Sequence, residues 1–170
     1  PIDYLEFKGL STLQSASRFY CYANSYIKGI NLNDLSDINF SNTESFILKA
    51  LNIEVSGNIS VFAKQTGLKE ITINTLNDSI TNVTGDITSL NTLTALNVLN
   101  LHDTQVAGNV DAFLTALASS GRTADLIIVL ALGMTFLGVT GRNNSVVIKF
   151  NSSMVNPTAE DTARGWQVAQ

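Results

Sequence analysis

The sequence is poor in residues that stabilise or activate many small proteins. Its 170 residues include one cysteine, one histidine and two prolines, and only 14% of them are charged. A single cysteine, Cys21, excludes an internal disulfide, so cysteine usage does not point to an oxidising compartment. Cys21 lies in an aromatic run, residues 19–22, and we expect it to be a buried structural thiol rather than a reactive one.

Positive charge is also scarce. The chain has ten Lys and Arg against fourteen Asp and Glu, which gives a net charge of −4. The ten cationic residues are scattered, whereas a surface that binds nucleic acid needs them clustered. We therefore expect no nucleic acid partner.

Long apolar segments are missing. The longest apolar run, residues 126–139, is interrupted by Gly133 and Gly138, is too short to span a bilayer, and predicts a buried strand followed by a turn. We therefore expect no membrane insertion. The chain as given also lacks the cationic head and apolar core of a signal peptide at its start.

The sequence does have a recurring motif of five residues. It reads VSGNI at 55–59, VTGDI at 83–87 and VAGNV at 106–110, with a looser form, IKGIN, at 27–31. The glycines of these motifs are Gly29, Gly57, Gly85 and Gly108, so the first two intervals between them are equal and the third is slightly shorter. Periods between roughly 20 and 50 residues are typical of stacked repeats, and all three intervals fall in that range.

Aliphatic residues between two of these motifs follow a regular spacing. They occur at every third position and then at a spacing of two: Ile87, Leu90, Leu93, Leu96, Leu99 and Leu101. The spacing of two predicts a short strand with Leu99 and Leu101 on its inner side, and with Val98, Asn100 and His102 on its outer side. One such segment is too small to bury its own leucines, so about three must stack for stability.

With the pattern G-x-I-x-x-L-x-x-L-x-x-L-x-x-L-x-L-x-x-T-x-V-x-G-x-V over residues 85–110, the chain resembles leucine-rich repeat proteins. The resemblance is to the subtype with a V/L-x-G-x-I tail, found in plant receptors and in gut Bacteroidetes and their phages. It implies an α/β solenoid with parallel strands on the concave face, short helices or irregular returns on the convex face, and terminal caps. In this interpretation one domain spans 1–170, with an N-terminal cap at 1–26, repeat coils at 27–145 and a C-terminal cap at 146–170.

The two ends of the chain carry other patterns. At the start, a short alternating strand in residues 2–7 precedes apolar residues at helical spacing, namely Leu10, Leu13, Ala16 and Phe19. Later in the chain we predict a helix over 111–118, a strand over 146–150, a helix that begins at Asn156-Pro157 and runs through Arg164, and an edge strand over 166–168.

Catalytic motifs are missing from the sequence. His102 is followed by Asp103, but neighbouring residues of a strand point to opposite faces, and no nucleophile or metal motif accompanies the pair. The adjacent carboxylates Glu160 and Asp161 fall in the first turn of a predicted helix, where the helix dipole favours negative charge. No phosphate loop, zinc motif or serine hydrolase motif is present. We therefore expect a protein that is not an enzyme and has no cofactor or metal.

The outward side chains of the predicted strands are the remaining candidate site. Aligning the segments predicts one amide-rich, mildly acidic interaction face made of Asn31, Asn33, Asn52, Glu54, Glu70, Thr72, Asn74, Asn100 and His102. Such a face suits hydrogen bonds to a protein backbone or to sugar hydroxyls, and its few aromatics argue against strong stacking on sugar rings. The alternative is that these residues only keep the sheet soluble.

Two functions from different classes are compatible with these features. The first is an interaction module that binds a protein or a glycan at a bacterial cell surface, and the exposed face favours it. The second is a structural component of a bacteriophage virion or a similar assembly, and the missing signal peptide favours it.

Overall fold

The computed structural model describes residues 2–5, 17–23, 27–38, 42–75, 81–141 and 144–169. In these ranges the protein is mostly β, with a large mixed sheet of seven strands, two smaller sheets and two short α-helices. The strands are β1 (Ile2–Leu5), β2 (Arg18–Ala23), β3 (Ile27–Asn31), β4 (Ser45–Ala50), β5 (Glu54–Asn58), β6 (Glu70–Thr75), β7 (Asn82–Thr84), β8 (Val98–Asn100), β9 (Ala107–Asn109), β10 (Leu126–Val129), β11 (Gly133–Phe136), β12 (Val139–Thr140), β13 (Ser145–Phe150) and β14 (Trp166–Val168). The helices are α1 (Val110–Ser119) and α2 (Ala159–Arg164).

The seven-stranded sheet has the order β14-β13-β10-β8-β6-β4-β2. Strands β2, β4, β6, β8 and β10 are parallel and lie in chain order, whereas β13 and β14 are antiparallel. The equivalent positions in the five parallel strands are Arg18, Ser45, Glu70, Val98 and Ile127. The chain therefore returns to this sheet at similar but unequal intervals, the shortest being from β4 to β6 and the longest from β8 to β10.

The two smaller sheets take up the strands in between. One has the order β1-β3-β5-β7 and the other β12-β11-β9, and a parallel bridge between Asp86 and Ala107 connects them. From β1 to β11 the chain alternates strictly between the seven-stranded sheet and this second set of strands. Apolar side chains from both sets and from the turns between them form one buried cluster.

Alternation of side chains explains the core side of the seven-stranded sheet. In β4, for example, Phe46, Leu48 and Ala50 are buried, and the residues between them are half-exposed. Because the parallel strands are in register, inward side chains stack from strand to strand in rows. One row consists of Phe19, Phe46, Ile71, Leu99, Ile128 and Val146.

Four strands of the second set, β3, β5, β7 and β9, lead into a short helical turn or helix with a polar cap. The 3-10 turns Leu32–Leu35, Ile59–Phe62 and Ile87–Leu90 and the helix α1 all begin in this way. An oxygen of the capping side chain accepts a hydrogen bond from a backbone N–H two or three residues later, at 2.8–3.1 Å. The caps are Asn31, Asn58, Asp86 and Asn109. These caps satisfy backbone donors that would otherwise be unpaired.

The glycine before three of these caps lets the next segment pack against the previous one. Gly85 has φ = +126°, and a Cβ there would lie 2.7 Å from Oδ1 of Asn58. Gly57 and Gly108 also have a positive φ and the same relation to the preceding cap. In the first segment the cap, Asn31, follows Ile30, so the predicted equivalence of Gly29 with the other glycines is wrong by one position.

A buried arginine joins the chain segments that precede β8 and β10. The guanidinium of Arg122 donates a hydrogen bond to the side-chain oxygen of Asn97. It also donates hydrogen bonds to four backbone carbonyls, those of Thr94, Leu96, Ala124 and Asp125. Its central carbon also lies 4.9 Å from the ring centre of Phe150. Desolvation lowers the pKa of Arg122, but these acceptors compensate for its burial.

Several sequence predictions are confirmed. Helix α1 covers residues 110–119, and β13 matches the predicted strand. The edge strand over 166–168 is present, and Trp166 is fully buried with its ring 5.8 Å from that of Phe136. Strand β1 confirms the predicted strand as far as Leu5. A separate observation is that both α-helices of the described residues are too short to span a bilayer.

Other predictions are wrong in detail. Phe19 belongs to strand β2 rather than to a helical pattern, while Leu10, Leu13 and Ala16 lie outside the described residues. The run 126–139 forms strands β10 and β11 and the start of β12, and leaves Ile127, Leu132 and Leu137 exposed. The last helix begins at Ala159 after the cap Thr158, because Asn156 takes a positive φ of 50° and stays outside it.

We expect Leu99→Ala to lower the free energy of unfolding by about 2–5 kcal/mol, because Leu99 is fully buried in a row shared by neighbouring strands. Asn100→Ala in the same strand is the matched control and should change it by only about 0.5 kcal/mol. Chemical denaturation of both variants measures the difference. Equal losses would contradict the assignment of an inner and an outer side to β8.

Candidate functional site

The outward side chains of β2, β4, β6, β8 and β10 form a surface that we call the outer face. It contains three rows that cross the strands. The first row is Arg18, Ser45, Glu70, Val98 and Ile127; the second is Tyr20, Ile47, Thr72, Asn100 and Val129; and the third starts with Tyr22, Lys49 and Asn74. The centre of this face is polar, and its two ends carry aromatic and aliphatic side chains.

Four of the nine predicted face residues come together on this surface, and a fifth, His102, lies beyond it in a turn. Glu70, Thr72 and Asn74 lie on β6, and Asn100 lies next to Thr72 on β8. His102 lies in the turn that follows β8. Whether these residues bind a partner stays a prediction.

The other four predicted residues lie elsewhere. Asn31 ends β3 and caps the next turn, and Asn33 in that turn accepts a hydrogen bond from the N–H of Asn58 at 3.0 Å. Asn52 lies between β4 and β5 with φ = +57°, and Glu54 begins β5. All four therefore belong to the second set of strands and its turns, not to the outer face.

For Asn52 and Glu54 the cause of this error is the register of one segment. The spacing Leu48-x-x-Leu51-x-Ile53 predicts a strand around Leu51 and Ile53, but the strand of the seven-stranded sheet is Ser45–Ala50. Its outward residues are Ser45, Ile47 and Lys49. Lys49 and Ile47 are therefore site residues that the sequence interpretation missed.

A shallow depression of about 460 Å³ lies in the middle of the outer face. It is lined by Ile47, Lys49, Glu70, Thr72, Asn74 and Asn100. Five of these six side chains are polar, and they come from three neighbouring strands. The depression thus combines one cation, one anion, a hydroxyl and two amides within one surface.

Some polar groups of the depression are held in place and others are available. The carboxylate of Glu70 accepts hydrogen bonds from the hydroxyls of Ser45 at 3.2 Å and Thr72 at 3.3 Å. Oδ1 of Asn100 accepts one from a backbone N–H at 3.2 Å. In the described part of the chain, the side chains of Lys49 and Asn74 have no protein hydrogen-bond partner. Their donors are therefore available to a ligand.

Two tyrosines border the depression at the β2 end of the face. Tyr20 is 55% exposed and Tyr22 is 53% exposed, next to Ile47 and Lys49 respectively. The sequence interpretation grouped them with Cys21 as a cluster around a buried thiol. Cys21 is half-buried against the core, and burial raises the pKa of its thiol. The alternation of residues 18–23 could have revealed the exposed tyrosines.

His102 and Asp103 do interact, contrary to the prediction that they point to opposite faces. Nδ1 of His102 lies 2.5 Å from Oδ1 of Asp103. The reason is that β8 ends at Asn100, so both residues lie in a turn where strand alternation no longer applies. Asp103 is buried, and its second oxygen accepts a hydrogen bond from the backbone N–H of Thr75 at 2.8 Å. The pair therefore ties this turn to the end of β6.

The chemistry of the outer face is hydrogen bonding combined with aromatic contact. Within the described ranges, no three His, Cys, Asp or Glu side chains are placed to hold a metal ion. Comparison of the chain with family models, with curated proteins and with solved structures finds no match in any of the three.

We expect Asp103→Ala to lower the free energy of unfolding by about 1–3 kcal/mol, because it leaves the buried N–H of Thr75 without its acceptor. His102→Ala is the control, since it keeps that acceptor and removes a half-exposed ring, and it should cost clearly less. Urea denaturation compares the two variants. A larger loss for His102→Ala would show that the histidine, and not the carboxylate, stabilises the turn.

Proposed function

We propose that this chain is a short leucine-rich repeat solenoid of the α/β type and a non-enzymatic recognition module. Three features support the fold. Parallel strands recur at nearly constant intervals, they alternate with a second set of strands, and three successive turns repeat the contact between a cap and a glycine. In this proposal residues 27–145 are the repeat coils, and 146–170 form a cap whose antiparallel strands end the array.

The observation that carries the proposed function is the composition of the outer face. A surface that only keeps a sheet soluble needs no exposed apolar side chains, yet Tyr20, Tyr22 and Ile127 are each more than 40% exposed on it. Tyrosine is enriched in binding interfaces because it combines a large apolar area with a hydroxyl. Unpaired donors in the adjacent depression supply the polar part of such an interface.

We propose a protein or a glycan as the partner, at a bacterial cell surface. The parallel strands of the outer face align their outward side chains in three rows that cross the sheet, so an extended molecule that crosses the strands contacts each strand in turn. Several contacts in line suit an extended chain better than a compact one.

The outer face can be tested with a pair of charge reversals. We expect Glu70→Lys to weaken binding at least tenfold, because Glu70 lines the depression, while Glu54→Lys, on β5, should change it less than twofold. The ligands are selected on the unaltered protein from a random peptide library and a glycan array. Melting temperatures within a few degrees of each other verify that both variants fold. Equal effects of the two substitutions would remove the outer face from the proposal.

A second candidate function is a structural component of a bacteriophage virion or similar assembly. It is favoured by exposed apolar side chains toward the C-terminal end, namely Leu132, Leu137, Val139 and Val155. Leu137 and Val139 lie next to each other where β11 turns into β12. An exposed patch of apolar side chains is typical of contacts between subunits.

The two candidates predict different locations in the native source. An assembly component should sediment in a density gradient with particles of fixed stoichiometry, as followed by mass spectrometry, and Leu137→Asp should prevent its incorporation. A recognition module should instead be recovered with the cell envelope. Recovery in particles would contradict the first candidate and support the second.

A further inference from the structure

We propose that the depression on the outer face, with Tyr20 and Tyr22 beside it, is a binding site for an uncharged, hydroxyl-rich saccharide. This inference depends on the recognition role proposed above and specifies the class of ligand. The charges, the hydrogen-bonding groups and the aromatic side chains of the site all favour such a ligand.

The charges of the depression favour a neutral ligand. Lys49 and Glu70 line the same depression on neighbouring strands and have opposite signs. An anionic ligand would be attracted by Lys49 and repelled by Glu70, and a cationic ligand the reverse, so neither sign gains a net attraction that would offset the loss of its hydration. The net charge of −4 further disfavours an acidic polymer.

The hydrogen-bonding groups match hydroxyls. A sugar hydroxyl both donates and accepts, and so needs a site with donors and acceptors close together. The depression supplies donors from Lys49, Asn74 and Asn100, and acceptors from Glu70 and the amide oxygens. Ser45 and Thr72 hold the carboxylate of Glu70, so its orientation is set before a ligand arrives.

The tyrosines supply an apolar surface next to the depression. Their strand, β2, pairs with β4, so the backbone of Tyr20 and Tyr22 lies about 4.8 Å from that of Ile47 and Lys49. Each ring is more than half exposed, and the negative face of an aromatic ring attracts the C–H groups of a sugar ring. From the sequence we expected too few aromatic residues on this face for stacking on sugar rings, but Tyr20 and Tyr22 provide two.

A peptide is a poorer fit to the same depression. Residues that dominate protein interfaces are usually aromatic or arginine anchors inserted into desolvated, well-packed pockets. Here the depression is shallow, and Ile47 is the one apolar residue among the six that line it. Such a site offers little apolar area to an anchor but many partners to hydroxyls.

Affinity electrophoresis of the full chain tests the inference. Native gels contain one neutral polysaccharide each, for example glucomannan, xylan, mixed-linkage β-glucan or dextran, and parallel gels contain acidic pectin or hyaluronan. We expect retardation by at least one neutral polysaccharide and by neither acidic one. Asn74→Ala and Tyr20→Ala should each weaken that binding at least tenfold. Asn144→Ala, an exposed amide outside the depression, is the matched control and should leave it unchanged.

The isosteric variant Asn74→Asp keeps the shape of the site and adds a negative charge, so it tests the site even if Tyr20→Ala unfolds the protein. It too should weaken binding at least tenfold. Retardation by acidic polymers alone, retardation by no polysaccharide, or binding that survives these substitutions would overturn the saccharide inference.

The peptide selection described above separates this failure from failure of the proposed function. If selected peptides bind and Glu70→Lys releases them while no polysaccharide retards the protein, the outer face is a recognition surface for protein and the saccharide inference is wrong. If neither peptides nor polysaccharides depend on the outer face, both proposals fail.

Discussion

The structure depends on the fact that no strand of the seven-stranded sheet buries its inner side chains by itself. Leu99 is fully buried because Ile71 and Ile128 flank it in the same row, and each of these depends in turn on its own neighbours. This shared burial imposes an in-register parallel arrangement, since a shift of one residue would turn every inner side chain outward. The outer face inherits the same register. The row that contains Thr72 and Asn100 is therefore a consequence of the core.

Local patterns in the sequence were sufficient where only one register was possible. The spacing of Leu99 and Leu101 identified β8 and its inner side, and the apolar pattern after Val110 identified α1. Residues 45–55 were harder, because apolar residues at a spacing of two occur twice there, in Phe46-x-Leu48 and in Leu51-x-Ile53. Pairing with β6 decides between these two possibilities, and a single sequence contains no information about that pairing. As a result Asn52 and Glu54 were assigned to the wrong strand. Asn31 and Asn33 were misplaced for another reason, because β3 and the turn after it belong to the second set of strands.

Part of the site was present in the sequence and was missed. The Asn or Asp that follows Gly57, Gly85 and Gly108 is a preferred helix-capping residue, and it identifies where the next turn begins. In residues 18–23, side chains with a polar group alternate with Phe19, Cys21 and Ala23, and this alternation would have put Tyr20 and Tyr22 on the outer side of a strand. The contact between His102 and Asp103 is different in kind. It depends on the strand ending at Asn100, and element ends are set by tertiary contacts rather than by local pattern.

The contact between glycine and cap has a consequence for how such a chain can change over time. Successive segments differ in length, the shortest leading from β4 to β6 and the longest from β8 to β10, yet the parallel register is the same throughout. Because Gly57, Gly85 and Gly108 realign each segment on the cap below it, insertions and deletions between these points leave the alignment of the strands intact. Outward side chains are free of that restriction. Mutation can therefore change the chemistry of the outer face while the scaffold stays constant.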